Sequence, residues 1–343
     1  MSGLRESLER VDRPDVIVVL GYGFELPVFS RARALWDFYL SHFPNLTYFV
    51  CRATNELGHG EVVHDGHDLL IGSDPRTHRK GSGEAGYASS GVWSSAENLS
   101  QVSFQFAIYD YLLRRYDKPF YVCHSTITSV VDFRLLFALV DSLSSAGVFA
   151  GMPARITTPG DYENLSVVCG TNCLFTRDMV ELMLERFDPH SPHNGIPQDV
   201  NVSYMLRDIA RTPLPFFSFI KPRDPATGLG NVGAITRRML DTGHYQFRVK
   251  TTSEQAQLGR REDVDPWIML EIMRAILGYE PNPAAAVDLR ARLLKSLGTR
   301  SGVSMAAYED HFFSGPRDFP LTDEEAEAIH PDLRAGASPQ VHP

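Results

Sequence analysis

The chain has 343 residues, 43% of them hydrophobic, 10% aromatic and 22% charged, the make-up of an ordinary globular protein. Its 33 Lys and Arg against 42 Asp and Glu leave a net charge of -9, which argues against a nucleic-acid partner because phosphate contacts need a basic field. No window approaches the ~18 consecutive apolar residues of a transmembrane helix. The charged start, MSGLRESLERVDRPD, does not read as a signal peptide. The expectation is a cytoplasmic protein with no integral membrane segment. Length alone allows about two domains, or one large α/β domain with an added helical part.

In chain order, DVIVVLGYG (15–23) is a continuous apolar run that stops at glycines, which predicts a strand buried on both faces of a parallel sheet. In the next segment Val28, Ala32, Leu35, Trp36, Tyr39 and Leu40 recur at helical spacing, and Pro44 ends that helix. NLTYFVC (45–51) then predicts a second strand, completing a βαβ unit. Residues 53–92 read as a long polar connection with an apolar island at Asp68–Ile71. A helix is predicted over 94–115, capped by Ser94 or Ser95, then a strand over 118–123 and a helix over 130–143. A short strand (148–151), another (164–170) and a helix (176–187) capped by Thr176 follow. The loop Asp188–Pro197 leads into a helix that begins near Gln198, and PLPFFSFI (213–220) reads as a strand. Two helical stretches, 265–278 and 284–297, close the ordered pattern. The proposed organisation is a core over 1–255, a helical extension over 256–332 and a flexible tail over 333–343.

The four cysteines, Cys51, Cys123, Cys169 and Cys173, lack zinc-knuckle spacing and read as reduced, structural residues. Gly21, Tyr22, Gly23 and Phe24 leave the first strand where an open α/β sheet holds its ligand, but no third glycine completes a dinucleotide fingerprint. A tight strand exit explains the two glycines equally well. His124, Ser125 and Thr126 set an imidazole and two hydroxyls directly after a buried strand, while Thr128 or Ser129 is placed to cap the next helix. At Gly170, Thr171 and Asn172 a strand stops at glycine and a polar pair follows. Arg177 and Asp178 there are open to a plainer reading as a surface pair and a cap. Asp199, beside Gln198 at a helix start, is either a cap or a rigidly held general base. The alternation from His244 to Lys250 puts Arg248 and Lys250 on one strand face with His244 and Gln246, suited to neutralising a diphosphate or to a solvated edge.

Taken in order, these segments resemble the Fringe and β-1,3-galactosyltransferase group of glycosyltransferases, and related bacterial sequences. Ser30 to Trp36 is similar to that group's Arg-rich first helix ending in Trp, and Glu97 to Ser100 to its Asn-Leu-Thr helix. Phe149-Ala150-Gly151 is similar to its Tyr-Ala-Gly, Cys169 to Asp178 to its Ser-Gly…Ser-Arg-Asp element, and Gln198-Asp199-Val200 to its Glu-Asp-Val. The match spans roughly residues 16–210. The resemblance implies a GT-A-like nucleotide-sugar-binding α/β fold, a mixed, mostly parallel central sheet flanked by helices, here with a C-terminal helical extension. It implies an inverting transferase that moves a sugar from a nucleotide-sugar donor, usually a UDP-sugar, to a glycan or small-molecule acceptor. Asp199 would be the general base. Gly170, Thr171, Asn172 and Gln198 would line the cleft, with Gly21 to Phe24 near the base and ribose.

The sequence departs from this group at the metal motif, where Asp-x-Asp is replaced by His124-Ser125-Thr126. A hard Mg²⁺ or Mn²⁺ wants carboxylate oxygens, and the nearest, Asp132, falls inside the predicted helix. Two outcomes follow: metal-independent transfer with Arg248, Lys250 or Arg260 stabilising the leaving diphosphate, or loss of catalysis. A non-catalytic nucleotide-sugar- or glycan-binding protein is therefore the alternative. An α/β-hydrolase fits poorly, because the Gly-x-Ser-x-Gly elbow is absent.

Overall fold

The computed structural model describes residues 13–22, 27–72, 96–155, 162, 165–215, 217–219, 232–249 and 261–297. The apolar run at the start forms β1 (Val16–Tyr22), in which Val16 to Leu20 are completely buried. Helix α1 (Pro27–Leu40) carries it back to β2 (Thr47–Thr54), which pairs parallel with β1. Of the six residues predicted to face the core from α1, five are buried, and Leu35 packs partly buried against the same cluster.

The long polar connection contains two strands, within residues 53–72, that its composition did not announce, and its residues 73–92 lie outside the described residues. Its apolar island is β4 (Asp68–Gly72), parallel to β2, and β3 (Val62–Asp65) pairs antiparallel along β4's outer edge. Helix α2 (Ala96–Arg115) then returns the chain to β5 (Tyr121–Thr126), parallel to β1 on its other side. A turn at Ile127 and Thr128 follows, then β6 (Ser129–Val131) and helix α3 (Phe133–Asp141).

The cap expected from Thr128 or Ser129 is instead Asp132, whose carboxylate accepts from the backbone N–H of Arg134 and Leu135. Residues 129–131 are extended because they pair with a later strand, a long-range contact that local spacing does not encode.

Strand β7 (Phe149–Arg155) and strand β8 (Ser166–Thr176) run antiparallel to each other, and β8 also pairs antiparallel with β5. Helix α4 (Arg177–Arg186), a 3-10 turn at Pro192–Gly195 and helix α5 (Gln198–Met205) follow. The apolar segment 213–220 is split between β9 (Arg211–Pro213) and β10 (Phe217–Phe219). Helix α6 (Val232–Asp241), strand β11 (Gln246–Val249) and helices α7 (Arg261–Leu277) and α8 (Pro283–Leu297) complete the described chain.

The main sheet has the order β3-β4-β2-β1-β5-β8-β7-β9, and only β3 and β8 run against the rest. The protein is thus α/β, with a mixed, mostly parallel sheet flanked by helices. Alternation along β1 divides the core: Val16, Val18 and Leu20 face α1, α3, α6 and α7, while Ile17 and Val19 face α2, α4 and α5. A smaller sheet, β10-β11-β6, extends from the turn after β5. The chain moves outward from β1 to β4 and then crosses back to β5. That reversal falls between β1 and β5, and open α/β sheets hold ligands beyond the carboxyl ends of the strands at such a point.

Helices α7 and α8 share the same core, with Ile268, Met269, Ile272, Met273, Ile276 and Ala286 fully buried. A buried ion pair fastens α7. Arg134, itself nearly buried, bonds Asp132 at 2.7 Å and donates to the carbonyls of Ile276 (2.9 Å) and Tyr279 (2.7 Å) at the end of α7. Removing Asp132 leaves the Arg134 charge buried with only the exposed Glu280, 3.5 Å away, as counter-charge, so Asp132→Ala is expected to cost about 3–5 kcal/mol. Urea unfolding of the full chain measures it. A loss under about 1 kcal/mol, the worth of a surface ion pair, would show that the pair does not hold α3 and α7 together.

Candidate functional site

Strand β8 does not stop at glycine, as its sequence suggested, but runs through to Thr176 with one interruption. Gly151 of β7 lies opposite Cys173 and Pro153 opposite Val168, so Cys169, Gly170, Thr171 and Asn172 lie opposite the single residue Met152. A polar, glycine-containing stretch in mid-strand is what a bulge looks like in sequence, and bulges re-aim groups beside functional sites. Gly151 is required at this point: a β-carbon there would sit 1.8 Å from the Asn172 carbonyl oxygen.

The bulge exposes backbone groups that the ladder would otherwise occupy. The Gly170 N–H donates to Asp199 Oδ2 at 3.3 Å, and the Val200 N–H donates to Oδ1 at 3.0 Å. A β-carbon on Gly170 would lie 3.3 Å from Asp199 Cβ, so the glycine allows the carboxylate to lie against the strand backbone. Asp199 is in the first turn of α5, where the helix dipole and these donors favour its charge. Burial outweighs them and pushes its pKa up from the ordinary carboxylate value. A base with a raised pKa is a stronger proton acceptor near neutral pH.

Helix α5 is pinned along its length. Ser203 Oγ accepts from the Val168 N–H (3.1 Å), Arg211 reaches the Ser203 carbonyl (2.9 Å), and Arg186 bonds the Met205 carbonyl (2.6 Å). Gln198, the helix's first residue, is partly buried next to Asp199.

On the other side of the bulge stands β11, which is no solvated edge: Gln246 is completely buried and Arg248 half-buried. The two share a face, as the alternation indicated, while Phe247 and Val249 enter the core. Gln246 donates to Ser125 Oγ (2.8 Å) and to the Thr171 carbonyl, and accepts from Asn172 Nδ2 (2.6 Å). Arg248 donates to the hydroxyls of Thr126 and Thr128. The bulged segment thus touches the Asp199 carboxylate through Gly170 and Gln246 through Thr171 and Asn172, while Arg248, on the same face of β11 as Gln246, is bonded to the end of β5. Sequence periodicity placed Gln246 beside Arg248 but could not show which strand they face. Tyr245, which completes the network, carried no sequence signal, and Thr128, read from sequence as a helix cap, instead accepts from Arg248.

His124 and Ser125 point to opposite faces of the sheet. Ser125 faces Gln246, whereas His124 lies beneath α2, its Nδ1 3.2 Å from the Tyr109 hydroxyl. Desolvation lowers the His124 pKa to about 4, so the ring is neutral at physiological pH. Gly21 is buried against it: a β-carbon there would meet His124 Nε2 at 3.5 Å, an ordinary contact, so packing does not demand glycine. Tyr22 is half-buried and faces Phe29 of α1, ring centroids 6.0 Å apart. Gly23, Phe24, Lys250 and Arg260 lie outside the described residues.

Arg177 pairs with Glu181 at 2.7 Å, and Asp178 accepts from the Gly147 N–H at 2.8 Å. Thr176 sits at the N-cap of α4, but its hydroxyl accepts from the Val148 N–H and does not cap the helix. Cys51, Cys123 and Cys173 are buried thiols outside any disulfide.

The residues at 124–126 do not fit a hard divalent metal. The imidazole is turned under α2, the hydroxyls are bonded within the protein, and the nearest carboxylate, Asp132, is buried in its pair with Arg134. Among the described residues no three His, Cys, Asp or Glu side chains converge on a point that could hold a metal ion. None of the described helices is long and apolar enough to cross a membrane.

A cleft of about 510 Å³ lies on the face of α5 opposite Asp199, lined by Asn201 and Tyr204 of the helix, His193 and Asp188 of the preceding loop, and Arg207 and Asp208 beyond. His193 and Arg207 pack on the Tyr204 ring, and Tyr162 bonds His193 Nδ1 at 2.5 Å. The site around Asp199 and the cleft are therefore separate features of one helix. No protein-family model matches the chain, and no curated protein matches it.

Because burial raises the folded pKa of Asp199, the folded state holds that proton more tightly than the unfolded chain does. Stability is then lost as pH rises from the unfolded carboxylate value through the folded one. Asp199→Asn, which removes the partly buried charge, is expected to raise Tm at pH 7 by at least about 2 °C. The gain should vanish below about pH 4, where the wild-type carboxyl is protonated in both states. Thermal melts of both proteins across pH test this, and an equal or lower Tm for the variant at pH 7 would rule out a desolvated carboxylate.

Proposed function

We propose that the protein is an inverting glycosyltransferase of GT-A-like fold, using a nucleotide-sugar, of which a UDP-sugar is the first candidate. The observation that carries this reading is a bulged segment that bonds both Asp199 and Gln246, with Arg248 beside Gln246 on the same strand face and bonded to the carboxyl end of β5. The sheet's crossing point between β1 and β5 supports it, since α/β sheets bind nucleotides at such points. The resemblance in motif order supplies the reaction class.

In the proposed reaction an acceptor hydroxyl attacks the anomeric carbon opposite the leaving group. Asp199 takes the hydroxyl proton, a glycosidic C–O bond forms, and the bond from the anomeric carbon to the diphosphate breaks with inversion. Arg248, oriented by Thr126 and Thr128, neutralises charge on the departing nucleoside diphosphate. Thr126 and Tyr22, at the ends of β5 and β1, stand on the donor side and Gly170, Thr171 and Gln198 on the acceptor side; Gly21, Ser125 and Asn172 are buried and support them from behind. His124 supports this wall from beneath and does not reach the diphosphate. The 124–126 stretch lacks the carboxylates of a metal site, so cationic side chains take over the metal's electrostatic task in this reading.

A nucleotide panel tests the proposal. Melting with UDP, GDP, CMP and dTDP, each with Mn²⁺ and with EDTA, should show one nucleotide stabilising in EDTA, by roughly 2.7 kcal/mol at ~100 times its Kd. Arg248→Ala should remove most of that stabilisation, and the wild-type effect should weaken with added salt. Asp199→Asn should keep nucleotide binding while losing transfer by at least about a hundredfold. No stabilisation by any nucleotide would overturn the reading. Stabilisation without turnover in the wild type would instead leave a nucleotide-sugar-binding protein.

A further inference from the structure

We propose that Gln246 is a positioning residue: it holds the bulged segment Gly170–Asn172 so that the Gly170 N–H meets the Asp199 carboxylate. The inference rests on the assignment of Asp199 as base, and deepens it. Four residues opposite one leave the bulge without a ladder partner on the β7 side, so something else must fix its path. Gln246 supplies that from β11. Its Nε2 donates to the Thr171 carbonyl and to Ser125 Oγ, and Ser125 Oγ donates to the same carbonyl at 3.3 Å. Its Oε1 accepts from Asn172 Nδ2 at 2.6 Å. One amide therefore grips the backbone and side chain of two consecutive bulge residues, immediately after the glycine that touches Asp199.

This network is not the cheapest way to fill the space. Asn172 commits its amino group to Tyr245 and Gln246, which leaves its buried Oδ1 without a hydrogen-bond partner among the described residues. An unmet buried acceptor costs about 1–3 kcal/mol. Apolar side chains would pack here at less cost but would not orient the bulge. The same face of β11 carries Arg248, so one short strand sets the placement of both the cation and the base.

The test is the titration of Asp199 itself, followed by carboxyl ¹³C NMR in the full chain, with Asp199→Asn assigning the signal. Gln246→Met keeps the volume but removes both donated bonds. With the Gly170 N–H no longer held on the carboxylate, the Asp199 pKa should rise by about half a pH unit or more. Tyr245→Phe removes a neighbouring bond to Asn172 but leaves the grip on Thr171, and should leave the titration where it was. Equal titrations in wild type and Gln246→Met would overturn the proposal, as would the same displacement in Tyr245→Phe. If Gln246→Met does not fold, Ser125→Ala removes the second bond to Thr171; it should shift the titration in the same direction, and no shift overturns the proposal. Transfer assays add a second readout: Gln246→Met should lower kcat about tenfold with donor KM unchanged, the pattern of a misplaced base. The NMR titration needs no substrate. A displaced titration in a protein that transfers no sugar would sink the transferase reading and leave Gln246 as the group that sets Asp199.

Discussion

The Asp132 carboxylate is completely buried, and each of its bonds ties a different part of the protein. It caps α3 through the N–H groups of Arg134 and Leu135, and it pairs with the Arg134 guanidinium, whose remaining donors reach the last carbonyls of α7. Its own backbone N–H bonds the Tyr245 carbonyl at 2.7 Å, just before β11 begins. A charge taken out of water must be fully bonded or it is ejected, so the helix cap and the ion pair stand or fall together. The backbone of the same residue meets the chain just before β11, so the segment that carries Gln246 and Arg248 starts from a residue outside the proposed chemistry.

From that anchor the geometry of the site follows in order. β11 is held in register with β6, which places Gln246 over the β8 bulge and Arg248 over the end of β5. The bulge in turn presents the Gly170 N–H to Asp199, whose helix is fixed to β8 by Ser203 and closed at its far end by Arg186 and Arg211. Rigid elements thus carry each group, and a carboxylate made less stable by burial is kept where it is useful.

The backbone architecture was legible where hydrophobic period and length agree. The β1 run, the amphipathic face of α1 and the two C-terminal helices stand nearly where spacing put them, because burial on one or both faces leaves a direct mark on residue choice. What local reading missed depends on partners far along the chain. Gly170 to Asn172 look like the end of a strand, yet the pairing of β7 with β8 on either side of them, and of β5 with Asn172, keeps them inside one. Ser129 to Val131 look like a helix start, yet β11 pulls them straight. In the site, Asp199, Ser125 and Arg248 could be picked out as polar groups at element ends. That His124 turns away from Ser125 follows from strand alternation, but which side carries the chemistry does not.

Two side chains of the first βαβ unit bear on how this fold is reached. The Trp36 indole donates to the Ile127 carbonyl and the Tyr39 hydroxyl to the Val131 carbonyl, each at 2.8 Å, and the acceptors are 91 and 92 residues further along the chain. Both donors lie in the apolar interior, where an unmet polar group is costly. On a ribosome the N-terminal strands and helix emerge long before those carbonyls exist. Until residue 131 is available, that unit must keep its aromatic face hydrated or covered by something else. Its apparent independence in sequence therefore ends at the level of folding: the central strand closes only when the middle of the chain arrives.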